Sequence, residues 1–154
     1  GGDATGRVVF VGTASAGRVS VLRRLSAVEP LVYGSGWAPG PYEVRPPVYG
    51  LELSAVTSSA KWCLNLLRPQ NRDSHNMRSF ELPACGARQL TMATEDHVKY
   101  LAGTGASLAE DIGHLVELAQ SDPSGDEISI GANHTYVDRI ERLLGRLKSH
   151  GLSL

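Results

Sequence analysis

The sequence predicts a three-layer α/β domain, in which a central parallel sheet is covered by helices on both faces. Short apolar runs alternate along the chain with amphipathic stretches of helical period, the order that builds parallel sheets through helical crossovers. The first of these runs, Val8-Val9-Phe10-Val11, is continuously apolar and does not alternate with polar residues, the pattern of a strand buried on both faces. A length of 154 residues matches one domain able to bury its own core, with no need of a disulfide or metal staple.

The elements follow in order. Arg7-Val8-Val9-Phe10-Val11-Gly12 is a β-branched run that stops at glycine, a first strand. Val19, Val21, Leu22, Leu25 and Val28 recur at helical spacing with arginines between them, so a helix follows, and Pro30 ends it. Leu31 to Gly34 reads as a second strand and the Gly/Pro-rich stretch from Gly34 to Gly50 as one long surface loop. A helix is expected from Leu51 to Ala60, a central strand from Lys61 to Leu67, and a short helix from about Met77 to Cys85, closed by Gly86 in a left-handed cap. Arg88 to Met92 is the next strand and Glu95 to Leu101 a helix. The last elements are a short strand at Ala106 to Leu108, a helix from Glu110 to Ala119, and an amphipathic helix from Tyr136 to Leu147 with Thr135 as N-cap. In such a sheet, ligands are expected at the carboxyl ends of the strands.

Composition narrows the function classes. With 15 basic against 16 acidic residues, the chain lacks the clustered basic excess of a general nucleic-acid binder. No apolar run reaches the roughly 18 residues of a membrane span, and the start lacks the charged-then-apolar pattern of a signal peptide. Cys63 and Cys85 form no C-x-x-C pair and sit among apolar residues, so they are expected as buried reduced thiols in a cytoplasmic protein. His97, His114, His134 and His150 are too scattered to build a zinc site. The chain opens Gly1-Gly2-Asp3 without methionine and is expected to be a fragment of a longer protein.

Two segments can carry chemistry. The turn Gly12-Thr13-Ala14-Ser15-Ala16-Gly17-Arg18-Val19 nearly spells a phosphate-cradling P-loop, but Arg18 replaces its lysine and Val19 its magnesium-binding hydroxyl. A Gly-flanked turn into a helix N-terminus can still hold a diphosphate through Gly12 and Thr13 amides and one arginine. The plainer reading is a turn with a solvated arginine. The second segment runs from Arg68 to Glu81 after a buried-looking strand, with Arg68, Arg72 and Arg78 beside the amides near Asn76. Those groups attract a pyrophosphate, and Glu81 is one turn further on, where a carboxylate can accept ribose hydroxyls. Otherwise Asn76 is an N-cap, Arg78 is solvated and Glu81 pairs with a neighbouring arginine. His75 is a candidate for a phosphate or sugar hydroxyl. Trp37 and Tyr42 in the long loop could stack on a base or cover the core edge.

The stretch Asn76-Met77-Arg78-Ser79-Phe80-Glu81-Leu82-Pro83-Ala84-Cys85-Gly86 resembles the signature of the CgeB-like glycosyltransferases, a branch of the GT-B superfamily. That family carries an asparagine-x-arginine-x-phenylalanine-glutamate run followed by a proline-alanine-x-glycine turn. The resemblance extends to Phe10-Val11-Gly12 with Arg18, to Ala60–Leu66, and to His134-Thr135-Tyr136 with Arg139, nearly the whole chain. It implies the C-terminal, Rossmann-like half of a GT-B fold, binding a nucleotide diphosphate sugar as co-substrate, with no further cofactor and no required metal. Asp73 and Glu81, with seven residues between them, match the paired acids that touch the donor, although Asp73 is aspartate where the superfamily often has glutamate. Arg18 and Arg78 match basic positions near the diphosphate. The acceptor would bind an N-terminal domain that this chain lacks, leaving the isolated chain inactive. Two rival readings are a non-catalytic nucleotide- or anion-binding regulatory module of the same fold, and a P-loop-like phosphate enzyme.

Overall fold

The computed structural model describes residues 4–71, 73–125, 128 and 136–149. Six strands, β1 (Val8–Val11), β2 (Leu31–Tyr33), β3 (Glu43–Arg45), β4 (Trp62–Asn65), β5 (Gln89–Met92) and β6 (Ser107–Ala109), form one all-parallel sheet in the order β3-β2-β1-β4-β5-β6. The helices are α1 (Ala16–Arg24), α2 (Gly50–Ser59), α3 (Arg78–Ala84), α4 (Glu95–Tyr100), α5 (Ile112–Gln120) and α6 (Tyr136–Ser149). The predicted three-layer α/β, Rossmann-like arrangement is what forms.

The pleat divides each strand between two cores, because successive side chains point to opposite faces. Val8 and Phe10 of β1, Val32, Trp62, Leu64 and Leu90 pack with Leu22 of α1 and Leu115 of α5. Val9 of β1, Leu31, Tyr33 and Cys63 pack on the other side with Leu53 and Val56 of α2 and Leu82 of α3. Cys63 is buried and Cys85 half-buried, both free; burial pushes the Cys63 thiol up to about 12, and its Sγ donates to the Thr57 carbonyl at 3.3 Å. No helix among the described residues is long and apolar enough to cross a membrane.

Three boundaries differ from expectation. Residues 34–50 are not one loop: they contain β3, which pairs with β2 from Leu31↔Glu43 to Tyr33↔Arg45 at the sheet edge. An edge strand keeps one side wet and tolerates charge, so Glu43 and Arg45 mask it in the hydrophobic pattern. Glu43 takes Arg7 at 2.6 Å and Arg45 at 2.7 Å, and these hydrogen bonds, Arg7's first, hold its carboxyl below the usual range. Helix α1 starts at Ala16, three residues before Val19, because Ser15 Oγ accepts the Arg18 amide at 3.4 Å and caps it. It stops at Arg24, and Ser26–Val28 form a separate 3₁₀ turn. Gly86 closes α3 at φ +72°, the left-handed cap expected there. Arg72, His134, Thr135 and His150 lie outside the described residues, as does the side chain of Arg139.

Candidate functional site

The chain runs outward from β1 to β3, then returns to place β4 on the other flank of β1. This reversal makes the carboxyl ends of β1 and β4 the topological switch point, where open α/β sheets leave a crevice for ligands. Gly12 and Thr13 follow β1 there, and Leu66 to Glu81 follow β4.

The first turn comprises only Gly12 to Ser15, because Gly17 is already inside α1. It is too short to wrap a triphosphate as a P-loop does. The β2–β3 connection braces it: the Gly12 amide donates to Tyr33 O at 2.9 Å, the Ala14 amide to Ser35 O at 3.0 Å, and Trp37 Nε1 to Gly12 O at 2.9 Å. The Trp37 ring stands edge-on to Phe10 and Tyr42, with centroids 5.7 and 5.6 Å away. Both loop aromatics are therefore spent on the core edge, the second of their two readings. Thr13 is exposed.

Arg18 spans the switch point. Its Nε and Nη2 donate to the Leu66 carbonyl at 3.2 and 3.0 Å, its Nη1 donates to Thr13 O at 2.9 Å, and the guanidinium lies 5.1 Å over the Phe10 ring. Three of its five N–H groups thus tie the β1 turn to the end of β4, and two are left over for a ligand. Its pKa is lowered, chiefly by burial and then by the positive charges of Arg68 and Arg78. Three guanidinium groups therefore share one field at the carboxyl ends of β1 and β4, a field that an anion would relieve.

Beyond β4, a polar network fixes the start of α3. Asn76 Oδ1 accepts the Ser79 amide at 3.0 Å while Ser79 Oγ accepts the Asn76 amide at 3.3 Å, a reciprocal cap with serine in the place of the usual Glu or Gln. Asn76 Nδ2 donates to Asn65 Oδ1 and Asn65 Nδ2 to Ser79 Oγ, both at 3.0 Å. His97 Nε2 is 2.9 Å from Ser79 Oγ, and His97 Nδ1 is 2.8 Å from the Met92 carbonyl. Asn76 is thus a capping residue with its side chain committed to protein. Arg78 Nη1 pairs with Glu81 Oε2 at 2.8 Å across one turn of α3, with both side chains half-exposed. Asp73 is exposed in the turn ahead.

His75 meets α4. Its Nδ1 is 2.7 Å from Asp96 Oδ2, which also accepts Ser74 Oγ at 2.7 Å, and Thr94 Oγ1 donates to Ser74 O at 2.8 Å. Hydrogen bonds from Ser74, then from His75, hold the Asp96 carboxyl below the usual range. A shallow open depression lined by Ala93, Thr94, Asp96 and Lys99 lies alongside. Gly12, Thr13 and Arg18 thus follow β1 and Arg78 and Glu81 follow β4, while His75 reaches toward the neighbouring β5 end.

Asn65, Ser79, Asp96 and His97 join the site without having been singled out as ligand groups. Asn65 did leave a signal, a polar residue inside the apolar run Trp62-Cys63-Leu64-Asn65-Leu66. Asp96 left a weaker one, a carboxylate in the first turn of a helix that follows a strand. Among the described residues, no group of three His, Cys, Asp or Glu side chains is placed to hold a metal ion.

The model of one family, described as glycosyl transferase-like, matches residues 18–145, most of the chain. The chain belongs to the glycosyl transferase-like family. A search among curated proteins returned no match. The match to the glycosyl transferase-like family starts at Arg18 and takes in Arg78, Glu81 and Asp96, leaving Gly12 and Thr13 just ahead of it. A glycosyl transferase-like domain on a parallel sheet thus has its densest polar chemistry at the switch point.

Proposed function

We propose that this chain is the donor-binding half of a two-domain, CgeB-like GT-B glycosyltransferase, and that a nucleotide diphosphate sugar lies across the carboxyl ends of β1 and β4. The observation that carries this reading is the Arg18 guanidinium, which bridges the β1 turn and the end of β4 with two N–H groups left over. The remaining Arg18 donors, Arg78 and the Gly12 and Thr13 backbone take the diphosphate. Glu81 Oε2 is held by Arg78, and Oε1 accepts the ribose hydroxyls. Asp73 and His75 face the sugar side, and Asn76 acts by holding the α3 cap.

During transfer the bond between the anomeric carbon and the β-phosphate oxygen breaks, its electron pair stays on the diphosphate, and an acceptor hydroxyl attacks the carbon while losing its proton to a base. Arginine N–H groups stabilise the charge gathering on the departing diphosphate. The acceptor site and the base come from an N-terminal domain outside this chain; the donor is the co-substrate and no other cofactor is used. A reducing cytoplasmic setting accords with Cys63 and Cys85 as free thiols. The commitment of three Arg18 donors to main-chain carbonyls favours a second reading, a module that binds anions without catalysis.

Titration with uridine, guanosine, adenosine and thymidine diphosphates and their sugars, followed by amide NMR shifts, tests the reading. Shifts should cluster at Gly12 to Arg18 and Asp73 to Glu81; silence with every ligand would overturn donor binding. Glu81→Ala is expected to weaken binding by roughly 1–3 kcal/mol, the loss of a carboxylate accepting hydroxyls in a partly buried site. Unchanged affinity in a folded variant would remove Glu81 from the site.

A further inference from the structure

Between the exposed turn holding Asp73 and the start of α4, three hydrogen bonds converge on two residues. Ser74 Oγ and His75 Nδ1 both meet Asp96 Oδ2 at 2.7 Å, and Thr94 Oγ1 donates to Ser74 O at 2.8 Å. Thr94 Oγ1 also accepts the His97 amide at 3.0 Å, so the same hydroxyl caps α4 and anchors the turn. The His75 ring is enclosed edge-on by Phe80 of α3 and Tyr100 of α4, at centroid distances of 5.3 and 5.7 Å. The imidazole is thus held by two helices and by its own turn, yet a third of its side chain stays exposed.

A carboxylate can only accept, so His75 must carry a proton on Nδ1. In the neutral ring this leaves Nε2 as a bare lone pair, the arrangement that a carboxylate partner imposes on functional histidines. A bare nitrogen accepts a hydrogen bond and cannot donate one. It therefore suits a sugar hydroxyl and not an ionised phosphate, which has no proton to give.

We infer that Asp96 is a positioning residue which orients His75 so that Nε2 accepts a hydroxyl of the donor's sugar, making this pair the sugar-reading corner of the site. The inference rests on the donor-binding reading and extends it to an α4 residue 21 positions from its partner.

Calorimetric titration of the chain with each nucleoside diphosphate, and with its sugar conjugate, at about pH 8 tests this. His75→Ala and Asp96→Ala should each weaken binding of the sugar conjugate roughly fivefold or more, the worth of one hydrogen bond, and leave the bare diphosphate unaffected. The double variant should be no weaker than either single, since both act through one contact. Asp96→Asn keeps an acceptor oxygen and should retain most of the affinity. Nitrogen-15 NMR of His75 should show the Nδ1-protonated tautomer in the unaltered chain and in Asp96→Asn, and a mixture in Asp96→Ala. Equal losses for the bare diphosphate and its conjugate, additive losses in the double variant, or an Nε2-protonated ring would each overturn the inference while donor binding stood. Absence of binding by the unaltered chain to any conjugate would instead bring down the donor reading, and this inference with it.

Discussion

Gly34→Ala is expected to lower stability by roughly 3 kcal/mol or more, since a side chain there collides with fixed backbone. A Cβ at Gly34 would stand 2.0 Å from Gly12 O and 2.7 Å from Gly12 C, with Trp37 Nε1 at 3.1 Å. Neither partner is free to retreat. The Gly12 amide donates to Tyr33 O, Gly12 O accepts Trp37 Nε1, and the Gly34 amide donates to Arg45 O at 3.1 Å, so any shift breaks pairing among β1, β2 and β3. The damage falls on the turn that carries Gly12 and Thr13, so nucleotide binding should fall in parallel. Gly36→Ala supplies the control: its φ of +77° is strained for alanine, but the nearest atom is 3.7 Å away, so it should cost only about 1–2 kcal/mol. Urea denaturation of both variants checks the difference. Equal losses would mean that the β1–β2 approach relaxes and is not a fixed contact.

That contact shows why the fold was largely legible and its tight points were not. Strands β1 and β4 read plainly because both faces of the sheet are covered, leaving Val8 to Val11 and Trp62 to Leu64 no polar alternation. β3 escaped because its edge position lets Glu43 and Arg45 pair with each other and with Arg7. The glycines of the first turn read as loop, yet Gly17 lies within α1, since Ser15 supplies the cap. Within the site, Arg18, Arg78 and Glu81 were visible as polar residues following buried strands, but their partners were not. Arg18 reaches the Leu66 carbonyl across 48 residues because β1 and β4 are neighbours, a fact of topology that no local spacing contains. The same holds for Asp96 and His75, which meet only because β5 lies beside β4. Asn76 shows the opposite case: its capping role was open from the start, and its capping bond to the Ser79 amide is local.

His97→Ala is expected to cost roughly 2–4 kcal/mol and to remove an acid sensitivity of the fold. His97 is fully buried; its Nδ1 donates to the Met92 carbonyl, so its bare Nε2 accepts the Ser79 hydroxyl. That hydroxyl oxygen already accepts Asn65 Nδ2 and the Asn76 amide, which fills its two lone pairs. A proton added to His97 Nε2 would bring a third donor onto a saturated oxygen in a fully buried site. Burial, the largest cause, accordingly holds the His97 pKa below its ordinary 6.5. Because the folded value is the lower one, the unfolded chain binds the proton more tightly. The contribution is complete above about pH 6.5 and is lost as the pH falls from there through the folded value, by up to about 1.4 kcal/mol per pH unit for one proton. The carboxyls of Asp96 and Glu43 are also held low, but they start from 3.8 and 4.5, so their contribution is lost in a separate, more acid window. Denaturation of the two chains between about pH 7 and 5 separates the terms. The unaltered chain should weaken across that interval and His97→Ala should not; the same slope in both would mean that His97 keeps its proton exchange with solvent and that the Ser79 network tolerates its charge.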